Sequence, residues 1–93
     1  MKHQRTPRFK EDYKALPAEI QEATRKAFQL FKENPRHPSL RVKLMQPKKR
    51  GIWEGHITLG YVFTLHWDTD AETGEQIAVF RRIGKHDEIY CNP

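Results

Sequence analysis

The chain has 93 residues, of which 37% are hydrophobic and 31% are charged, and its net charge is +5. This length allows one small domain, expected over residues 1–93, and excludes a two-domain protein. The apolar stretches are far shorter than the about 20 residues of a membrane-spanning helix, and no apolar core follows Met1 to Arg5. We therefore expect a cytoplasmic protein with no membrane partner.

Two helices are expected in the first third of the chain. A short helix over about residues 8–16 is predicted by three apolar residues at helical spacing: Phe9, Tyr13 and Leu16. Pro17 suits the first turn of a second helix, which ends at Asn34-Pro35. The apolar residues of this second helix form a stripe that we assign to the core: Ile20, Ala23, Ala27, Phe28 and Phe31.

Beyond Pro38 the apolar period changes from 3.6 to 2, which indicates strands. Four are predicted, at about residues 40–44, 52–58, 61–67 and 77–83, with an acidic turn over 68–75 and a turn or single helical turn over 85–90. The expected fold class is α+β. An N-terminal helical hairpin packs on one face of a twisted, mainly antiparallel four-stranded sheet.

The other face of this sheet is expected to lie open to solvent. Alternation of side chains assigns to it a polar, largely cationic set of residues: Arg41, Lys43, Glu54, His56, Val62, Thr64, His66 and Arg82. An open face of this composition indicates a contact surface.

Positive charge is concentrated in the first 50 residues, which hold 14 of the 17 lysines and arginines. Six cations occur with no acid between residues 34 and 53: Arg36, Arg41, Lys43, Lys48, Lys49 and Arg50. Such a run attracts a polyanion such as RNA. The alternative is a solvated surface that only keeps the protein in solution.

The residues that phosphodiester cleavage requires are all present. A base must take the proton of a ribose 2′-hydroxyl, and Glu54 and His56 are both candidates because they project from the same side of one strand. His86 is the candidate acid, since an ordinary imidazole pKa suits proton transfer near neutrality. The alternative for each is an ordinary surface residue, with His86, Asp87 and Glu88 forming a local turn.

Five further residues complete the predicted RNA site. Arg82 and Lys85 would stabilise the charge that develops on the phosphate, and Arg41 and Lys43 would grip the backbone. Tyr90 is a candidate for stacking on a base. The histidines and Cys91 show no zinc-binding spacing and the glycines form no nucleotide-binding pattern, so no metal and no small-molecule cofactor is expected.

The order and spacing of five segments resemble the RelE/ParE superfamily of bacterial toxins: Phe9–Pro17, Asn34–Leu40, Ile52–Glu54, Gly60-Tyr61 and Ile83–Tyr90. The resemblance implies a toxin of a type II toxin–antitoxin pair. Its implied activity is ribosome-dependent endonucleolytic cleavage of mRNA. Its implied partners are mRNA, the ribosome and a cognate antitoxin protein that silences it.

The resemblance is closer to a histidine-using, YafQ-like branch than to the arginine-centred ribonucleases. Val62 stands where many of the latter carry an arginine. The YafQ-like branch implies catalytic residues at Glu54, His56, Arg82 and His86 and an aromatic residue at Tyr90, although residues 46–50 lack that branch's loop histidine. Other members bind DNA gyrase without cutting RNA, and a non-toxic relative would bind only an antitoxin, so both alternatives stay open.

Overall fold

The computed structural model describes residues 1–47 and 50–93. Its elements in chain order are β1 (Lys2–Arg5), α1 (Pro7–Lys14), α2 (Ala18–Glu33), a 3₁₀ turn (Pro38–Leu40), β2 (Lys43–Leu44), β3 (Trp53–His56), β4 (Tyr61–Thr69), β5 (Gln76–Lys85) and α3 (His86–Cys91). The strands form one sheet in the order β1-β5-β4-β3-β2. Within the described ranges, no helix is long and apolar enough to cross a membrane.

The expected α+β class is confirmed, with the helical hairpin α1–α2 on a mainly antiparallel sheet. The predicted strand count was one short, because β1 was missed. β1 pairs in parallel with β5, with Lys2 opposite Ile77 and Arg5 opposite Phe80. Its sequence, Lys-His-Gln-Arg, lacks the apolar alternation that marks a strand. The strand is defined instead by its backbone pairing, the Lys2–Asp70 ion pair and the packing of His3 on Phe31 and Phe80.

All five phenylalanines of the chain lie between the hairpin and the sheet: Phe9, Phe28, Phe31, Phe63 and Phe80. Phe28 stacks on Phe80 with ring centroids 4.4 Å apart, and Phe31 meets Phe63 edge to face. The close approach of Phe63 to β3 requires Gly55, since a Cβ there would lie 2.2 Å from the ring. Of the stripe predicted on α2, Ala27, Phe28 and Phe31 therefore belong to the core.

The opposite face of the sheet is not open as expected. After Gly84 the chain turns into α3, whose buried Ile89 packs on Gly84, and the C-terminal residues run back across the strands. The hydroxyl of Thr64 donates to the carbonyl of Pro93 at 3.0 Å. As a result Val62, Thr64 and Glu54 are buried. The accessible part of this face lies at the β2 end, where Arg41 and Lys43 are exposed.

Candidate active site

Glu54 lies at the centre of the polar group beneath α3. It occupies the middle of the sheet, paired with Lys43 of β2 and Thr64 of β4, and is only 1% exposed. Its Oε1 accepts a hydrogen bond from the Tyr90 hydroxyl at 2.8 Å and lies 3.2 Å from the Lys43 ammonium. Its Oε2 is buried and has no hydrogen-bond partner in the described part of the chain. An unsatisfied carboxylate oxygen is costly to bury, so this atom marks a place that a ligand can complete.

Tyr90 and His86 reach this carboxylate from α3. They are four residues apart and therefore lie on one side of the helix, with ring centroids 3.9 Å apart. Burial, the hydrogen bond to Glu54 and its negative charge raise the pKa of the Tyr90 hydroxyl to about 12. Tyr90 therefore stays a neutral donor to Glu54. The His86 side chain is 39% exposed and lies beside the tyrosine ring.

His56 lies two residues beyond Glu54 on the same side of β3. Its pKa is lowered chiefly by burial, and the charges of Arg41, Lys43 and His86 lower it further, while Glu54 acts in the opposite direction. A lowered pKa keeps the imidazole neutral at neutral pH. It can then accept a proton.

Arg41 and Lys43 form the cationic rim of this group. Arg41 ends the 3₁₀ turn in a left-handed backbone conformation with φ of 48°, and its N–H donates to the Pro38 carbonyl. A non-glycine residue in this conformation is strained and is held there by its surroundings, which is frequent at functional sites. Six of the eight sequence-predicted site residues therefore gather here: Arg41, Lys43, Glu54, His56, His86 and Tyr90.

Arg82 does not join this group. Its guanidinium forms a two-point ion pair with Asp12 of α1, at 2.8 and 3.1 Å, and also donates to the Asn92 carbonyl. The hydrogen bonds and charge of Asp12 raise the pKa of Arg82 against the opposing effect of burial. Asp12 also accepts the backbone N–H of Ile83. The sequence assigned Arg82 to phosphate chemistry, but this geometry makes it the link between α1 and the free edge of β5.

Lys85 is also separate from the Glu54 group. It pairs with Tyr61 in the sheet, one position beyond Gly84 and Val62, so alternation directs it to the other face. There it lines a small hollow of about 150 Å³ together with Asp12, Arg82 and Glu88. Sequence reasoning placed Lys85 beside His86 because the two are adjacent in the chain.

Two further predictions, the cationic run and the absence of a metal, concern ranges that the structure describes only in part. Lys48 and Lys49, part of the predicted cationic run, lie outside the described residues. Across residues 1–47 and 50–93, no group of three or more His, Cys, Asp and Glu side chains has the arrangement of a metal site.

The Tyr90–Glu54 hydrogen bond is the contact that sequence reasoning missed, since Tyr90 was considered only for its ring.

The sequence matches no family model and no curated protein. The fold, however, is shared with solved toxin structures. The YoeB/ParE toxin from Agrobacterium tumefaciens superposes with a TM-score of 0.71 at 19% identity, over 92% of this chain and 99% of that one. YafQ from E. coli strain BL21(DE3) gives 0.70 at 16% identity, over 95% and 96%.

The protein has the RelE/ParE-like toxin fold. A third structure with this fold, the RelB–RelE antitoxin–toxin complex from Methanococcus jannaschii, gives a TM-score of 0.64 at 17% identity, over 97% of this chain and 99% of the matched chain. The fold expected from the sequence resemblance to RelE/ParE toxins is thereby confirmed. Similarity at this level of identity concerns the fold, so the activity rests on the residues of the site.

Proposed function

We propose that the protein is the toxin of a type II toxin–antitoxin pair and that it cleaves mRNA at the ribosome. The observation that carries this proposal is the buried Glu54 carboxylate beside two histidines. One of its oxygens is fixed by Tyr90 and Lys43, and the other has no hydrogen-bond partner among residues 1–47 and 50–93. A fixed base, a second proton-transfer group and adjacent cations are the components of metal-free RNA cleavage.

The proposed reaction begins when the carboxylate of Glu54, whose buried Oε2 must first be uncovered by displacement of Tyr90 on α3, takes the proton of a ribose 2′-hydroxyl. The 2′-oxygen then bonds to the adjacent phosphorus and the bond from phosphorus to the 5′-oxygen breaks. His86 donates a proton to that leaving oxygen, which leaves a 2′,3′-cyclic phosphate and a 5′-hydroxyl. Lys43 and Arg41 stabilise the additional negative charge on the phosphate. The neutral His56 is the alternative base, and Arg82 and Lys85 act outside this step.

Substitution of the proposed base, Glu54, and of the proposed acid, His86, tests the proposal. Expression of the protein in bacteria should arrest growth and produce new mRNA 5′ ends. Glu54→Gln and His86→Ala should each reduce cleavage by about 10²- to 10⁴-fold. Glu72→Gln, in the exposed turn between β4 and β5, is the matched control and should leave cleavage unchanged.

The alternatives give different outcomes in the same experiment. Growth arrest with intact mRNA and damaged DNA would contradict the nuclease and indicate a toxin that binds gyrase. Harmless expression of the unmodified protein would indicate a relative that only binds an antitoxin. Unreduced cleavage by both Glu54→Gln and His86→Ala would remove these residues from the mechanism.

The proposed partners follow from the same reading. A cognate antitoxin protein is proposed because one structure with this fold is described as an antitoxin–toxin complex. mRNA and the ribosome are proposed as substrate and site of action, which places the protein in the cytoplasm. We also propose that residues 1–93 act as one toxin domain.

A further inference from the structure

A second cleft lies where α2 ends, between the turn that follows it and strands β3 and β4. Its volume is about 720 Å³, and its lining includes Arg36, His37, Arg41, Trp53 and Trp67. This volume is within the range of about 300–1,000 Å³ that is usual for ligand sites. The described residues that line the cleft include no acid. Both tryptophans of the chain are therefore in one cationic cleft.

The cleft is separate from the candidate active site but adjoins it. Trp53 and Glu54 are neighbours on β3, so their side chains lie on opposite faces of the sheet. Arg41, just before the edge strand β2, lines the cleft and is also close enough to His56 to affect its proton affinity. One arginine thus borders both sites, and its left-handed backbone fixes where it lies.

The chemistry of the cleft suits a nucleotide with an unpaired base. Indole rings stack on any nucleobase, and guanidinium groups bind phosphate oxygens with paired hydrogen bonds. Trp67 is itself stacked on the buried Phe31, with ring centroids 6.0 Å apart and planes at 20°. A ring held in this way loses little conformational freedom when a base packs on it.

We propose that this tryptophan cleft binds an unpaired nucleotide of the same RNA strand that is cut at Glu54, with Arg41 holding the phosphate between the two sites. The proposal rests on RNA being the substrate. It adds a second contact for the RNA strand, on the opposite face of the sheet from the bond that is broken.

Intrinsic fluorescence provides a direct test, because both tryptophans of the chain line the cleft and their emission responds to a base that stacks there. The full chain is titrated with a 2′-O-methylated single-stranded RNA of about eight nucleotides, within the usual site sizes of such surfaces. This RNA should quench tryptophan emission, and Trp53→Phe and Trp67→Phe should each retain part of the quenching. Inorganic polyphosphate of matched charge has no base to stack and should leave the emission unchanged.

Affinity and cleavage measurements separate this proposal from the nuclease proposal. Trp67→Leu should weaken RNA binding about tenfold, because one base loses the ring on which it stacks. Arg36→Gln should weaken it less, and Lys26→Gln on the exposed side of α2 should have no effect. A thermal unfolding scan checks that each variant is folded.

Unchanged emission when RNA binds, or full affinity in a folded Trp67→Leu, would overturn the cleft proposal and leave the nuclease proposal intact. Quenching by this RNA together with intact mRNA when the unmodified protein is expressed in bacteria would instead overturn the nuclease proposal. It would still support the cleft as an RNA site.

Discussion

The two faces of the sheet are buried in different ways. The face beneath α1 and α2 is filled by aromatic rings that pack on one another. The face beneath α3 buries Glu54 and Thr64, and one carboxylate oxygen of Glu54 lacks a partner among the residues described. The first arrangement stabilises the fold, whereas the second retains an unfavourable polar atom, as functional sites often do. We therefore expect the face beneath α1 and α2 to determine the stability of the fold, and the face beneath α3 to determine the activity.

The largest expected effect comes from removing an aromatic ring from the face beneath α1 and α2. Phe31 is fully buried and contacts Phe63, Phe80 and Trp67. Phe31→Ala should lower the free energy of unfolding by about 3–5 kcal/mol, measured by urea denaturation. Leu59→Ala removes a side chain that is 95% exposed and should cost less than about 0.5 kcal/mol. A loss below about 1 kcal/mol for Phe31→Ala would contradict the assignment of this face.

Substitution of Arg82 tests whether this residue stabilises the fold or takes part in the reaction. Arg82→Gln leaves the nearly buried Asp12 without its main partner, so we expect a loss of about 1–3 kcal/mol in unfolding free energy. Arg8→Gln is the matched control, because Arg8 is exposed, lies 3.8 Å from the same carboxylate and should contribute little. Loss of RNA cleavage by Arg82→Gln at unchanged stability would instead support the catalytic role expected from the sequence.

Tyr90→Phe tests whether the polar contacts beneath α3 affect the activity more than the stability. It keeps the ring beside His86 but removes the donor that fixes Glu54. We expect the cleavage rate constant to fall about tenfold while the unfolding free energy changes by less than about 1 kcal/mol. Tyr61→Phe controls for loss of a tyrosine hydroxyl elsewhere in the sheet. Equal rates for Tyr90→Phe and the unmodified protein would show that the hydrogen bond has no role in positioning Glu54.

The smallest expected effect is a decline of stability in mild acid. Burial lowers the pKa of His3, His56 and His66 in the folded chain. Below about pH 6.5 the unfolded chain takes up protons that these sites resist, so stability should fall from pH 7 to pH 5. The lowered pKa of Asp70, about 2, affects stability only at more acidic pH.

Urea unfolding at pH 7 and pH 5 measures this decline. His56→Gln should make it smaller, whereas His37→Gln in the turn after α2 should not. A protein that became more stable on acidification would contradict the direction of these pKa changes.

Periodic residues were sufficient to predict most of the elements. The spacing in α1 and α2 and the alternation in β3, β4 and β5 reflect burial on one side, which is a local property of the sequence. β1 could not be found in this way because its polar residues carry no alternation. Its place depends on a partner strand at the other end of the chain.

Six of the eight predicted site residues lie together, but the contacts between them were not predicted. Alternation placed Glu54 and His56 on one side of a strand, and helical spacing accounts for His86 and Tyr90. The covering of this face by α3 depends on the direction the chain takes after Gly84, which no local pattern specifies. The pairing of Arg82 with Asp12 joins residues far apart in the sequence, so strand alternation could not reveal it.

The parallel pairing of β1 has a consequence for the order of folding during synthesis. Residues 2–5 leave the ribosome well before their partners at 77–80, because almost all the other elements lie between them in the sequence. Closing so long a loop is slow, and the outer strand has no other partner in the sheet to hold it meanwhile. In a newly made chain β1 therefore stays unpaired until β5 has left the ribosome, and until the two strands pair the flank of β5 is open to aggregation and proteolysis.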